Sequence, residues 1–174
     1  NSGTFTHNSG TVGMSGASKT LTTASNSLFN LTFSGTGTTT LADDITATGN
    51  VILNNTVSAG STTLTMSGTS KTLTGASATI NNLTSSGTIA MSGIVTLNGN
   101  MNISAGTFTA DSASAFTVKG NWTNAGTYAE GTGTVTLAGT TSTTLDSGCV
   151  TVSTCTTQNF YNLTINKTGG VGAT

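Results

Sequence analysis

The chain has no proline and no arginine, and only 5% of its 174 residues are charged. About one quarter of a typical soluble domain is charged, so this composition is unlike that of a cytosolic enzyme that depends on charge for solubility. Four lysines and a net charge of −1 argue against nucleic acid as a partner, because a phosphate backbone needs clustered cations. The absence of proline suits central strands, which donate every backbone N–H to a neighbour.

Long apolar runs and clustered metal ligands are missing as well. No run approaches the ~20 residues that span a bilayer, so no membrane insertion is expected within this segment, and the first residues are not a signal peptide. The single histidine, His7, leaves zinc short of ligands, and we expect neither metal nor cofactor. Cys149 and Cys155 have five residues between them, and we expect a disulfide of the kind found in oxidising compartments.

Hydroxyl and amide side chains supply the polarity that charge does not. Threonine makes up about a quarter of the chain, and serine, glycine and asparagine are also abundant. These residues favour strands or turns over helix interiors. A disordered linker is the alternative for such a composition, but 34% of the residues are hydrophobic and recur in short alternations such as Thr134-Val135-Thr136-Leu137. The pattern therefore predicts strands around a narrow core.

The sequence repeats itself at two scales. Residues 14–32 match residues 66–84 without a gap, and residues 1–32 are related to residues 124–164, where the later copy is longer around the two cysteines. We expect residues 1–174 to form a single repetitive domain that begins and ends in mid-repeat. Such a segment is typical of a longer array or of a subunit that stacks end to end.

Short strand candidates follow one another at intervals of about six to ten residues, separated by glycine, Ser-Gly or Asn-Gly. These intervals leave no room for crossover helices. We therefore predict an all-β protein, a β-solenoid (parallel β-helix) of short stacked coils, with a β-sandwich of pilin type as the alternative. In a solenoid, aligned residues of the repeats are expected to form inward ladders, namely Met14 with Met66, and Leu31 with Leu83 and Leu163. Thr4 to Thr6 is expected to be a strand.

The sequence offers few groups for catalysis. General acid and base chemistry needs two titratable groups brought together, and the acidic residues are best interpreted as solvated turn residues. They are Asp43, Asp44, Asp111, Glu130 and Asp146. Calcium at Asp43-Asp44 is a weaker alternative, because the repeated Gly-Gly-x-Gly-x-Asp spacing is absent. We do not expect an enzyme.

Asn-x-Ser/Thr is the most numerous motif and is the acceptor for N-linked sugar in organisms that use it. These candidate glycosylation sites are Asn30, Asn54, Asn82, Asn102, Asn121, Asn162 and Asn166. Asparagines at equivalent positions of stacked coils have a second use, because they can form amide ladders that hydrogen-bond along the axis.

Three motifs carry a family resemblance: Gly120 to Asn124 (GNWTN), Gly133 to Leu137 (GTVTL) and Phe160 to Ile165 (FYNLTI). With them the chain resembles the Thr/Gly/Asn-rich β-helix repeats of large bacterial and archaeal cell-surface proteins, which are adhesin-like. The resemblance implies an extracellular or cell-surface location and a role in a stalk, fibre or adhesive structure. We expect a structural filament whose partners are copies of itself. An adhesin that binds glycans, or an ice-binding face of Thr-x-Thr strands, is the second hypothesis, and a polysaccharide-degrading β-helix is the third.

Overall fold

The computed structural model describes residues 3–110, 114–146, 159–170 and 172–174. Within these ranges the chain is all-β, no helix is present, and every strand pair is parallel. The strands are β1 (Thr11–Met14), β2 (Lys19–Leu21), β3 (Ser27–Leu28), β4 (Asn30–Phe33), β5 (Thr39–Leu41), β6 (Ile45–Ala47), β7 (Val51–Leu53), β8 (Val57–Ser58), β9 (Thr63–Met66), β10 (Lys71–Ile80), β11 (Asn82–Ser85), β12 (Thr88–Leu97), β13 (Met101–Ile103), β14 (Thr107–Ala110), β15 (Ala115–Val118), β16 (Trp122–Asn124), β17 (Thr127–Ala129), β18 (Thr134–Gly139), β19 (Leu145–Asp146) and β20 (Asn162–Lys167).

The strands wind into a β-solenoid of about seven turns with three faces. Face 1 contains β1, β4, β7, the first halves of β10 and β12, then β14 and β17. Face 2 contains β2, β5, β8, the second halves of β10 and β12, then β15, β18 and β20. Face 3 is a seven-stranded sheet of β3, β6, β9, β11, β13, β16 and β19. The predicted solenoid is therefore confirmed, and the antiparallel layers of a sandwich are not observed among the described strands.

Two long strands each bend from face 1 to face 2. The first half of β12 pairs with β14 and its second half pairs with β15, although β14 and β15 follow one another along the chain. Gly93 lies at the bend with a φ of 81°, a conformation that glycine adopts at little cost. In β10 the register shifts between Ala76 and Ala78, and the residue between them, Ser77, has a φ of 62°. A left-handed residue at the corner therefore turns each strand without breaking it.

The core is a set of inward ladders that run parallel to the axis. Strand alternation buries every second residue, as in the face 3 column Ile45, Leu64, Leu83, Met101 and Trp122. On face 2 the corresponding column contains Ala78, Val95, Phe116 and Val135. Each residue covers the one below, and the apolar core extends with every turn.

The ladders that the sequence repeats predicted are wrong. Met14 lies on face 1, where it pairs with Phe33, and Met66 lies on face 3, where it pairs with Ala47 and Ser85. The three leucines are also apart, because Leu31 is on face 1, Leu83 on face 3 and Leu163 on face 2. Met14 and Met66 are 52 residues apart in the sequence, whereas neighbouring coils advance by about 19 residues, as from Thr63 to Asn82. The repeat is therefore not a whole number of turns.

Two further predictions concern local structure. The segment Thr4 to Thr6 is not a strand, although Phe5 N–H donates to Asn26 Oδ1 of the next coil at 2.9 Å. The predicted disulfide between Cys149 and Cys155 lies outside the described residues.

Candidate functional site: corners, faces and ends of the solenoid

Asparagine ladders occupy a corner of the solenoid. In the second half of the chain, Asn82 Oδ1 accepts from Asn100 N–H, and Asn100 Oδ1 accepts from Asn121 N–H, both at 2.8 Å. Asn121 Oδ1 then accepts from Thr144 N–H at 2.9 Å. An amide oxygen thus satisfies a backbone donor of the following coil at the turn, where the ladder of the sheet is interrupted. The predicted amide ladder is confirmed, with the side chain bonded to backbone rather than to another amide.

A shorter ladder has the same construction at the beginning of face 1. Asn30 Oδ1 accepts from Asn50 N–H at 2.8 Å, and Asn50 Oδ1 accepts from Thr72 N–H at 3.0 Å. In both ladders each asparagine whose N–H donates to the preceding coil follows a glycine, at Gly49, Gly99 and Gly120. A Cβ atom at Gly99 would lie 2.2 Å from Asn82 Oδ1. The Gly-Asn pair is therefore the sequence signal of both corners, at the beginning of face 1 and of face 3.

The candidate glycosylation sites fall into three groups. Asn30, Asn82 and Asn121 are ladder members, so their amide groups already bond to the neighbouring coil. Asn102 is a half-buried outward residue of β13. Outside the ladders, the exposed sites are Asn54, Asn162 and Asn166. Modification of any of them stays a prediction, and the exposed group is the more accessible one.

A pair of acidic residues joins three successive coils. Asp43 accepts from the Thr23 N–H at 2.9 and 3.0 Å and from the Ala24 N–H at 2.6 Å, in the preceding coil. Asp44 Oδ1 accepts from the Thr63 N–H of the following coil at 2.8 Å. Desolvation raises the pKa of Asp43, but the N–H donors of Thr23 and Ala24 outweigh it, and the pKa lies below 3.8. Both carboxylates accept backbone bonds between coils, so the prediction of a solvated turn residue is wrong for the half-buried Asp43, whereas Asp44 is exposed to solvent.

The other titratable groups are dispersed. His7 stacks on Phe29 at 5.6 Å between ring centroids, and its Nδ1 accepts from Ser9 N–H. Glu130 and Asp146 are exposed, and Asp111 lies outside the described residues. Among the residues that the structure describes, no three His, Cys, Asp or Glu side chains come together as metal ligands would. No described segment is a helix long and apolar enough to cross a bilayer.

Lysines line a polar hollow at the corner between faces 2 and 3. Lys119 Nζ donates to Asn98 Oδ1 at 2.8 Å, beside Gly139 and Thr140. Lys167 Nζ, from the following coil, donates to the carbonyl oxygens of Lys119 and Ala138 and to Thr143 Oγ1. Burial lowers the pKa of Lys167. Both ammonium groups bind across coils, which indicates a structural role at this corner.

An outward file of hydroxyl groups follows face 2 along its length. Thr20, Thr40 and Ser58 are paired in the first three strands. The last five strands continue the file with Thr79, Thr96, Thr117, Thr136 and Thr164. Neighbouring strands are about 4.8 Å apart, so the hydroxyl groups repeat at that distance. The Thr-x-Thr motifs are visible in the sequence. Their alignment into a file depends on the register between coils, which the sequence does not show.

Both ends of the core are open to solvent. Leu163 and Ile165 of β20 are 40% and 51% exposed, whereas Val135 and Leu137, their partners one coil below, are 3% and 0% exposed. At the opposite end, an apolar pocket of about 120 Å³ lies among Phe5, Val12, Leu21 and Leu28. The inward apolar residues of the last described strand are therefore exposed to solvent, and those of the first coil line a pocket.

The comparisons with known proteins leave the function to be argued from these surfaces. No family model, no curated protein and no solved structure matches the chain.

Proposed function

We propose that the chain is an extracellular structural protein that forms or extends a surface filament by stacking β-coils end to end. One observation carries the proposal: β20, the last described strand of face 2, exposes Leu163 and Ile165 at inward positions. Exposed apolar side chains beside unpaired backbone groups are a template for another parallel strand. The scarcity of charge and the abundance of hydroxyl groups support an extracellular location.

Backbone bonding gives the stacking its direction. In a parallel sheet each strand bonds to its two neighbours through alternate peptide groups: Asn30 N–H donates to Gly10 below, and Leu31 N–H donates to Asn50 above. A strand at either end of the solenoid therefore has half of these groups directed along the axis. A second copy in the same orientation supplies the missing partners, and because the contact is head to tail it repeats without closing.

Negative-stain electron microscopy of the purified chain over a range of concentrations tests the proposal. We expect fibres of uniform width, and we expect Leu163→Lys with Ile165→Lys to abolish them, because two ammonium groups would then lie in the contact. Asn162→Lys with Thr164→Lys is the matched control, since it adds the same charge to outward positions of β20. Discrete particles at every concentration, or fibres that persist in the inward double variant, would contradict the proposal.

The hydroxyl file of face 2 favours a second candidate, a module that binds the regularly spaced hydroxyl groups of a glycan or of ice. Its test is retention on insoluble polysaccharide and on ice. Replacing Thr117 and Thr136 by valine removes two hydroxyls from the file at nearly constant shape, and the control makes the same change at Thr65 and Thr84 on face 3. Equal retention of both variants and the native chain would rule out face 2 as the binding surface.

A further inference from the structure

A polar hollow borders the hydroxyl file of face 2 at the corner with face 3. Thr96 and Thr117 are paired members of the file, and Asn98 and Lys119 lie two residues further along the chain, on the same outward side. Asn98 and Lys119 line the hollow together with residues 139–141, and its volume is about 390 Å³. Ligand sites in proteins have volumes of about 300–1,000 Å³. The file and the hollow therefore form one continuous polar surface that is large enough for a ligand.

Lys119 gives the hollow a positive charge. Its Nζ donates to Asn98 Oδ1 at 2.8 Å, which holds the ammonium group in place with one of its three N–H groups. This partner is a neutral amide rather than a carboxylate, so the contact does not cancel the charge. Lys167 Nζ lies 3.3 Å from the carbonyl oxygen of Lys119, and its own N–H groups have acceptors at Lys119, Ala138 and Thr143. Lys167 therefore adds charge to the corner, and Lys119 is the lysine that can donate to a ligand.

We propose that this surface binds an acidic polysaccharide, with a sugar carboxylate at Lys119 and the sugar hydroxyl groups along the file. The inference rests on the second candidate function, and it narrows the ligand from glycan or ice to a glycan that carries carboxylates. Threonine hydroxyls donate to and accept from sugar hydroxyls, and an ammonium group makes its stronger bonds to an ionised acceptor. Ice has no charge for Lys119 to bind, and a nucleic acid needs clustered cations.

Polygalacturonate is the probe, and its fully methyl-esterified form is the matched neutral polymer. The dissociation constant of the native chain is measured on beads that carry one polymer or the other, at low salt. We expect the free acid to bind about fivefold more tightly, which is the upper range for one exposed ion pair. Raising the salt to about 1 M should remove the difference, because the charges are then screened. Equal affinity for the two polymers at low salt would overturn the inference.

Substitutions at two lysines test the contact itself. Lys119→Met removes the ammonium group at similar side-chain length and should abolish the preference for the free acid, whereas Lys119→Arg keeps the charge and should retain it. Lys71→Met is the matched control, because it changes the net charge equally at a lysine that lies over the Phe29 ring at the start of face 1. An unchanged preference in Lys119→Met, or an equal loss in Lys71→Met, would overturn the role of the hollow.

The same retention experiments separate this inference from the function on which it rests. If neither form of polygalacturonate retains the native chain but insoluble neutral polysaccharide or ice does, the second candidate function stands and the acidic ligand is wrong. If none of these surfaces retains the native chain, the second candidate function is wrong as well. Fibre formation is measured independently of all of these outcomes.

Discussion

Replacing Asp43 by asparagine measures how strongly one carboxylate joins neighbouring coils. Its two oxygens accept from the N–H groups of Thr23 and Ala24, and Oδ2 also lies 3.2 Å from Thr23 Oγ1. An amide keeps one acceptor oxygen but places an NH₂ group against a backbone donor. Losing charge-assisted bonds and leaving one N–H unsatisfied should lower the free energy of unfolding by about 1–3 kcal/mol.

Urea denaturation followed by circular dichroism provides the assay. With a slope of about 1–3 kcal/mol per molar urea, the Asp43→Asn midpoint at neutral pH should fall by roughly 1 M. The pKa of Asp43 is lowered in the folded chain, so its stabilisation is present above the pKa of the unfolded chain and is lost as the pH falls through the lower folded pKa. The difference in urea midpoint between the native chain and Asp43→Asn should therefore disappear in strong acid.

Glu130→Gln is the control for Asp43→Asn, because it removes the same charge from an exposed position. It should change the free energy of unfolding by no more than about 0.5 kcal/mol. Equal midpoints for native and Asp43→Asn protein at neutral pH would refute the reasoning, and so would a difference that persists undiminished in strong acid.

Three further predictions concern the core, the corners and a buried phenol. Trp122→Ala should lower the free energy of unfolding by about 3–5 kcal/mol in the same urea assay, because the indole is fully buried among aromatic rings. Tyr161→Ala is the control: its side chain is 63% exposed, and the change should cost less than about 0.5 kcal/mol. Gly120→Ala should cost about 1–3 kcal/mol, since its Cβ would lie 2.6 Å from backbone of the preceding coil; Gly13→Ala, where a Cβ has open space, should cost little. Burial, with a contribution from the Glu130 carboxylate, raises the pKa of Tyr128 to about 12. Ultraviolet absorbance should therefore show ionisation of this phenol near that pH. The folded state should lose stability as the pH rises from about 10 through 12.

The sequence predicts the architecture well and the alignment of coils poorly. Short alternating segments, glycine punctuation and missing proline are local signals, so the all-β solenoid follows from them. The register is not local, because it depends on how many residues each corner absorbs. From Leu28 to Leu31 the passage from face 3 to face 1 takes three residues, whereas from Met66 to Leu73 the same passage takes seven.

The features of the candidate site are likewise partly local in the sequence and partly dependent on the register between coils. The Gly-Asn pairs are visible in the sequence, and stacked asparagines predict amide ladders. That Asn82 accepts from a backbone N–H becomes clear only when the following coil is placed beside it. The sequence predicts Asp43 to be a solvated turn residue, because nothing near it along the chain shows that Thr23 lies beside it in the preceding coil. The exposure of Leu163 and Ile165 at inward positions likewise becomes visible only when the columns are aligned.

The failed ladders show which unit the chain repeats. Related segments place Leu31, Leu83 and Leu163 on three different faces, and each residue is inward on its own face. A strand with its turn, rather than a full coil, is therefore the interchangeable element, because each of the three faces offers the same alternating environment of core and solvent. Such a chain can be extended by any strand that keeps the alternation, from the same molecule or from another.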